Sequence, residues 1–569
     1  MPPRRSLRAA PAKAESKAEP KKPAAKAAAK PPARSRSRVA KRRAVDDPDS
    51  RTPSPLPPAK RRRASSRAAN GIIAHEEPKT TEAAETSKEN NAKEAPELAK
   101  PAKPVEKKEK KIVKTVQQKP YFNPLPTPPE HVRPAPVPFA WGAGNFGQFG
   151  MGEDALGEFE KPTRNKLVEE KMAEGVFGGE GAGFEAVSAG GMYSLFIDEK
   201  GTVWSCGTND DAALGRITTD VPDPDKEGEF LDVDTLTAQP FPLQTLVDEG
   251  FRATRIATGD SISAAISQEG ELRVWGSFRS VEGLLGFKSG QNHQFTPIST
   301  MELPSKPDDA EKFTSVVAGN NHLVVLTTHG NIFTWGAGEQ GQLGRKVLER
   351  RKIHGTTPEK IVLHSRTRKA VVVGAGNYTS FAVDEQGGVW AWGLNNMGQT
   401  GTGFTNAAAD SEVGLPKKVV GLSKSELDGD HVVQIVGGEH HTLFLTATGK
   451  VFACGRSNGG QLGLPEDHSA FQDRDEDHQD LVAVPTLVPF PDDDDPVVHI
   501  SAGIHNNMAV TKDGALYTWG TGPQSELGVV GESEVKTPKM IVRRDGGAWA
   551  AVAGSCGGQH TLALLRKKT

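Results

Sequence analysis

Apolar residues in this chain come as short runs separated by glycine-rich polar stretches, and the alternation repeats along most of its length. The clearest copy begins with a segment Val316-Val317-Ala318-Gly319-Asn320-Asn321-His322-Leu323-Val324-Val325-Leu326. Thr328-His329-Gly330 then makes a tight turn, and Ile332-Phe333-Thr334-Trp335 follows as another apolar run. That run breaks at Gly336 into a glycine-rich loop ending Gln342-Leu343-Gly344. Runs of this length, rich in β-branched and aromatic residues and bounded by Gly and Asn, predict strands joined by a hairpin turn. Two strands, a turn and a loop make one module.

The module recurs. A Trp-Gly step or its variant stands at Trp141-Gly142, Cys206-Gly207, Trp275-Gly276, Trp335-Gly336, Trp392-Gly393, Cys454-Gly455 and Trp519-Gly520. The preceding half of the module carries a marker glycine at Gly190, Gly259, Gly319, Gly376, Gly438, Gly503 and Gly557. The chain enters on a Trp-Gly half at Phe139 and leaves on a marker-glycine half ending near Leu565. Halves offset in this way pair completely only if the ends meet, because an open array leaves bare strand edges. The expected fold is therefore all-β: a seven-bladed β-propeller of four-stranded blades over residues 139–569, closed by pairing of N- and C-terminal strands, with few helices.

Charge adds a second region. Residues 1–120 hold 32 Lys+Arg against 14 Asp+Glu, whereas the rest of the chain holds 38 against 58. The first 120 residues are poor in aromatic and aliphatic side chains, so they cannot bury enough apolar surface to offset chain entropy, and a disordered basic tail is expected. Two clusters within it, Lys41-Arg42-Arg43 and Lys60-Arg61-Arg62-Arg63, have the spacing of a two-part nuclear import signal and would also attract nucleic-acid phosphates. Residues 121–138 are proline-dense and read as an extended linker. No apolar run is long enough for a membrane span, and the three cysteines show no metal-ligand spacing.

The loop Trp335–Gly344 (WGAGEQGQLG) and the segment Gly557–Leu564 (GGQHTLAL) resemble the signatures of the regulator of chromosome condensation family of propellers. The stretch Trp275–Gly286 (WGSFRSVEGLLG) is similar to one that forms a small β-wedge in that family. The resemblance implies a guanine-nucleotide exchange factor for the small GTPase Ran, acting at chromatin in the nucleus as a monomer, with an import receptor as a further partner and no cofactor, metal or membrane. Exchange breaks no covalent bond, so the protein is not expected to be an enzyme in the covalent sense. It need only prefer the nucleotide-free GTPase. By position, the resemblance places the GTPase interface at Asp260, at Asn321 where animal relatives carry an aspartate, at either His440 or His441, and at wedge residues Phe278, Arg279, Ser280, Val281 and Glu282. It places chromatin contacts on an opposite face, at Arg350 and Arg351 in one basic loop and Arg366 and Arg368 in another.

Residue patterns support the loop assignment independently. The two positions after each marker glycine are not uniform and include Asp, Asn, Glu and His, as expected of a ring of loops facing a partner rather than a core. The next position, with His322, His441 and His560, is expected to pack between blades. The acidic runs at Asp473–Asp480 and Asp492–Asp495 read as solvated connections able to steer a basic partner. An alternative function is an interaction scaffold for some other partner. A third, an enzyme using the central pocket, has no supporting motif.

Overall fold

A computed structural model describes residues 119–223, 226–403, 410–472 and 479–568. Residues 1–118, with both import-signal clusters, and residues 473–478 of the first acidic run lie outside the described residues.

The architecture is all-β and propeller-like, with seven four-stranded antiparallel units among the described residues, two of which, the fourth and fifth, join into one eight-stranded sheet through a parallel bridge between Ala375 and Val436. The first runs from Phe184–Ala189 to Phe241–Pro242, the second from Ala253–Thr258 to Gln294–Ile298, and the third from Phe313–Ala318 to Glu359–Ile361. The fourth spans Ala370–Ala375 to Glu412–Lys418, the fifth Val432–Gly437 to Leu481–Leu487, and the sixth Val497–Ala502 to Glu534–Val542. The seventh is composite: Trp549–Cys556 and His560–Lys567 are completed by Val137–Ala143 and Glu158–Arg164. Its register runs from Val137 opposite Leu565 to Gly142 opposite His560. The half-module offset in the sequence thus appears as strand pairing between the two ends of the repeat region.

Within each unit the second strand is buried on both sides because neighbouring units cover both its faces; Leu323, Val324, Val325 and Leu326 are all buried. The marker glycines follow from close approach between inner loops. A Cβ on Gly259 would meet the Gly319 carbonyl at 2.5 Å, one on Gly319 the Gly376 carbonyl at 2.5 Å, and one on Gly438 the Gly503 carbonyl at 2.5 Å. Backbone bonds join these loops in sequence, including Asp260 N–H to Asn320 O at 2.8 Å and Glu439 N–H to Ile504 O at 3.1 Å. Gly558 N–H reaches Gly190 O at 2.9 Å, linking the composite unit to the first.

Strand order defines two faces. One, the loop face, carries the marker-glycine loops and the loops after each third strand. The other carries the hairpin turns and the connections between units. The proline-dense segment is packed along this turn face rather than standing free as a linker. Asn123 is buried and donates to Thr327 O and Ala370 O at 3.0 Å each, while its backbone N–H bonds Thr328 O. Lys369 lies 4.6 Å from the Phe122 ring centre, His131 contacts Glu185 and Arg133 pairs with Glu199. The second acidic run is likewise part of the local structure. Asp492 accepts from Tyr517 Oη, Asp494 pairs with Arg544, and buried Asp495 accepts the Asp513 N–H.

Candidate functional site

The stretch resembling the wedge forms a hairpin on the loop face. Arg279–Ser280 pairs with Gly283–Leu284, leaving Val281 and Glu282 at the tip. Gly283 takes φ 116°, which a side chain would strain, and this allows the reversal. Ser280 Oγ bonds Gly283 O at 3.3 Å and accepts the Glu282 N–H, stiffening the turn. Val281 is 70% exposed, an apolar tip aimed at solvent. Phe278, expected among the interface residues, is instead fully buried and packs on Phe287 with ring centres 5.3 Å apart. An aromatic ring at the root anchors the hairpin in the core, and only the residues beyond it can reach a partner.

Side chains from three units surround the hairpin. Arg279 Nη1 lies 2.6 Å from Asp211 Oδ2 of the first unit's loop, and the Arg279 N–H donates to Asn321 Oδ1 of the third unit at 3.0 Å. Asp211 also accepts from Ser261 Oγ at 3.1 Å, with His293 Nδ1 at 3.7 Å. Asp260 stands beside this cluster, open to solvent on one side and shielded by the neighbouring loops on the other. Partial burial pushes its carboxyl above the usual range, Arg279 opposes that, and Asp211 adds to it. A carboxylate less comfortable in its charged form is primed to gain from an incoming cation. Sequence reading missed Asp211, because an aspartate in an Asn209-Asp210-Asp211 turn looks like an ordinary loop residue.

The fifth unit places the two histidines differently. His441 begins a strand, is buried, and bonds Asn507 Oδ1 at 2.7 Å; burial pushes its pKa down to about 4. His440 sits one residue earlier in the loop, half-buried, with Gln399 Nε2 3.5 Å away and Glu439 at 3.9 Å. Glu439 is also 3.6 Å from His505, so a carboxylate and two imidazoles share this part of the loop face. Of the pair, His440 is available to a partner and His441 is a seam residue. The expected packing role of the neighbouring column holds: His322 bonds Ser380 Oγ at 2.8 Å and His560 bonds Ser194 Oγ at 2.9 Å, each across a seam.

The two basic loops do not share a face. The loop carrying Arg350 and Arg351 leaves the third strand of its unit at Gly336, beside Asn321, so it lies on the loop face with the hairpin. Its Lys352 reaches Glu282 at 3.2 Å as well as Glu339 and Glu349. Arg366 and Arg368 precede the strand starting at Ala370, whose N–H bonds Gly330 O, so they lie on the turn face. The sequence offered no face label, since both loops read simply as basic. Arg350, Arg351 and Arg366 are exposed, but Arg368 is engaged internally: it pairs with Asp384 at 2.5 Å and lies over Trp390.

Beside Asp210 an open groove of about 860 Å³ is lined by Phe146, Leu156, Ile217, Val233 and Phe295, all substantially exposed. Along the axis, a cavity of about 320 Å³ is lined by inner strands of all seven units. Its polar groups serve the fold: His499 bonds Gly554 O, and Ser188 bonds Thr258. Burial pushes the Cys556 thiol there up to about 12, which leaves it unreactive.

A family model for the RCC1-like domain matches residues 137–563. Protein pim1 of Schizosaccharomyces pombe is 32% identical over 428 residues, 74% of this chain and 73% of that protein. Guanine nucleotide exchange factor SRM1 of Saccharomyces cerevisiae is 29% identical over 446 residues, covering 74% and 86% of the two chains. The crystal structure of Prp20p from Saccharomyces cerevisiae, described with its binding to Gsp1p and histones, matches with a TM-score of 0.64 at 26% identity, over 79% of this chain and 93% of that one.

Proposed function

The chain belongs to the RCC1 family, with the guanine-nucleotide exchange role toward a Ran-like GTPase that this membership carries, and we propose that it promotes GDP/GTP exchange on Ran at chromatin. The working part is the loop face. The Val281–Glu282 tip enters the GTPase near its phosphate-binding loop, while Asp260, Asn321 and His440 engage polar and cationic groups around the emptied site. Arg279 and Ser280 support the tip from the hairpin strands.

Exchange follows from linkage. Contacts made only with the nucleotide-free form lower the nucleotide's affinity by the same factor that bound nucleotide lowers affinity for this protein. A rigid platform matters because a yielding one would deform instead of the GTPase. Seven units closed into a ring by the composite unit provide that rigidity in this reading. Chromatin is engaged by the basic tail of residues 1–120, assisted by exposed Arg366 on the turn face, so both partners can be held at once. Arg350 and Arg351, being on the loop face, are assigned to the rim of the GTPase site or to nucleosome contacts beside it. Nuclear entry depends on an import receptor reading the two tail clusters.

The observation that carries the proposal is the protruding hairpin, apolar at its tip and held on the same face as Asp260 and His440. Release of labelled GDP from Ran, with and without the protein, tests it. Acceleration for Ran and none for unrelated GTPases supports it. Tight binding without accelerated release would favour a scaffold instead.

A further inference from the structure

Six of the seven seams between units share one interlock. The loop after the third strand offers a backbone carbonyl, and the next unit sends two donors to it. Gln342 O takes Ser380 Oγ at 2.8 Å and Trp392 Nε1 at 3.0 Å. Ala213 O takes Ser263 Oγ and Trp275 Nε1, Gln461 O takes Asn507 Nδ2 and Trp519 Nε1, and Glu526 O takes Thr561 Oγ1 and Trp141 Nε1. At Gln148 O and Gln399 O the second donor is the thiol of Cys206 or Cys454.

The seam between the second and third units departs from this. Leu323 stands where the other units carry a hydroxyl or amide, Ile262 stands where four of the other units carry a bonding His or Tyr, and the buried Trp335 Nε1 has no partner. The loop that should supply the carbonyl is the one that became the hairpin. Hairpin strands of this length cannot hold a pose by themselves. The seam beneath is apolar, with Phe278, Leu323 and Trp335 in one cluster. Direction must therefore come from the polar contacts above it.

Resting on the exchange reading above, we propose that Asp211 is a positioning residue for the hairpin, acting through Arg279 from the unit before it, with Asn321 holding the Arg279 backbone from the unit after it. Asp211 suits the task because its carboxylate is 16% exposed and already accepts from Ser261, so it presents a fixed acceptor to the guanidinium. Losing it leaves the hairpin folded but less often in the competent pose. The apparent affinity for the GTPase then falls by the fraction of time the pose is lost.

The test uses the full chain with Asp211→Asn, Asp211→Glu, Arg279→Ala and the Asp211→Asn/Arg279→Ala double variant. The expected result for Asp211→Asn is roughly a tenfold loss in kcat/KM for GDP release from Ran, mostly through KM, with an unchanged unfolding midpoint. Asp211→Glu should recover much of the loss, and the double variant should be no worse than Arg279→Ala alone. A second readout does not depend on exchange. The three native cysteines are buried, so Val281→Cys can be labelled selectively, and the label should tumble more freely when Asp211→Asn is added. Unchanged label mobility with wild-type kinetics overturns the proposal, and additive losses in the double variant overturn action through Arg279. A wild-type chain inactive on Ran, with the mobility change intact, instead removes the exchange reading and leaves the clamp.

Discussion

Acidification tests the seam histidines quantitatively. His322, His441 and His560 are fully enclosed, each bonding a polar side chain of the next unit. Burial pushes their pKa values down to about 4, about 4 and about 3. They stay neutral in the folded protein, whereas in the unfolded chain they gain a proton below about pH 6.5. The unfolded state therefore binds more protons as pH falls, and stability present above pH 6.5 is lost on the way toward pH 4. Between about pH 7 and about pH 5.5 each histidine costs about 1.2 kcal/mol, so the three together cost about 4 kcal/mol. His322→Asn isolates one contribution, and asparagine already occupies this column at Asn506. Urea unfolding of wild type and variant at both pH values provides the assay. The variant should lose about 1 kcal/mol less than wild type on acidification, because contributions from carboxylates are common to both and cancel. Equal losses in the two proteins would refute the claim that these rings are buried neutral.

Three further outcomes follow from the hairpin and the tail. Val281→Asp should lower GDP release from Ran at least tenfold while thermal stability stays within about 0.5 kcal/mol, since the Val281 side chain is largely exposed; a large loss of stability would mean that Val281 is packed. Phe278→Ala should destabilise by about 3–5 kcal/mol in denaturant melts, as for other buried aromatics, and a neutral effect would contradict its anchoring role. Deleting residues 1–118 should leave exchange in solution intact and weaken retention on nucleosome arrays, most clearly at low salt. Salt-independent retention by the shortened protein would shift the chromatin contact to the propeller loops.

The repeat was legible because its markers answer to local backbone demands. Glycines at positions such as Gly259 and Gly319 are fixed by how closely one inner loop passes the next. Tryptophans such as Trp392 and Trp519 are fixed by a large core site with an acceptor at its far side. What stayed hidden depends on direction and partnership. His440 and His441 are identical letters, and only the strand starting at His441 turns one inward. Arg368 and Lys352 carry the same charge as free surface residues, but their carboxylate partners come from other strands and loops. Phe278 reads as part of an exposed loop until Phe287 is seen beneath it. The proline-dense segment looks like a spacer in composition, yet Asn123 fills backbone acceptors on two hairpin-side connections far along the chain.

The most direct measurement is stopped-flow release of fluorescent GDP from Ran against increasing amounts of the full-length protein. The account predicts a release rate that climbs with concentration and saturates, with Val281→Asp flattening the curve. A rate that stays at the spontaneous value, while chelation of Mg²⁺ still discharges the same Ran sample, would contradict it.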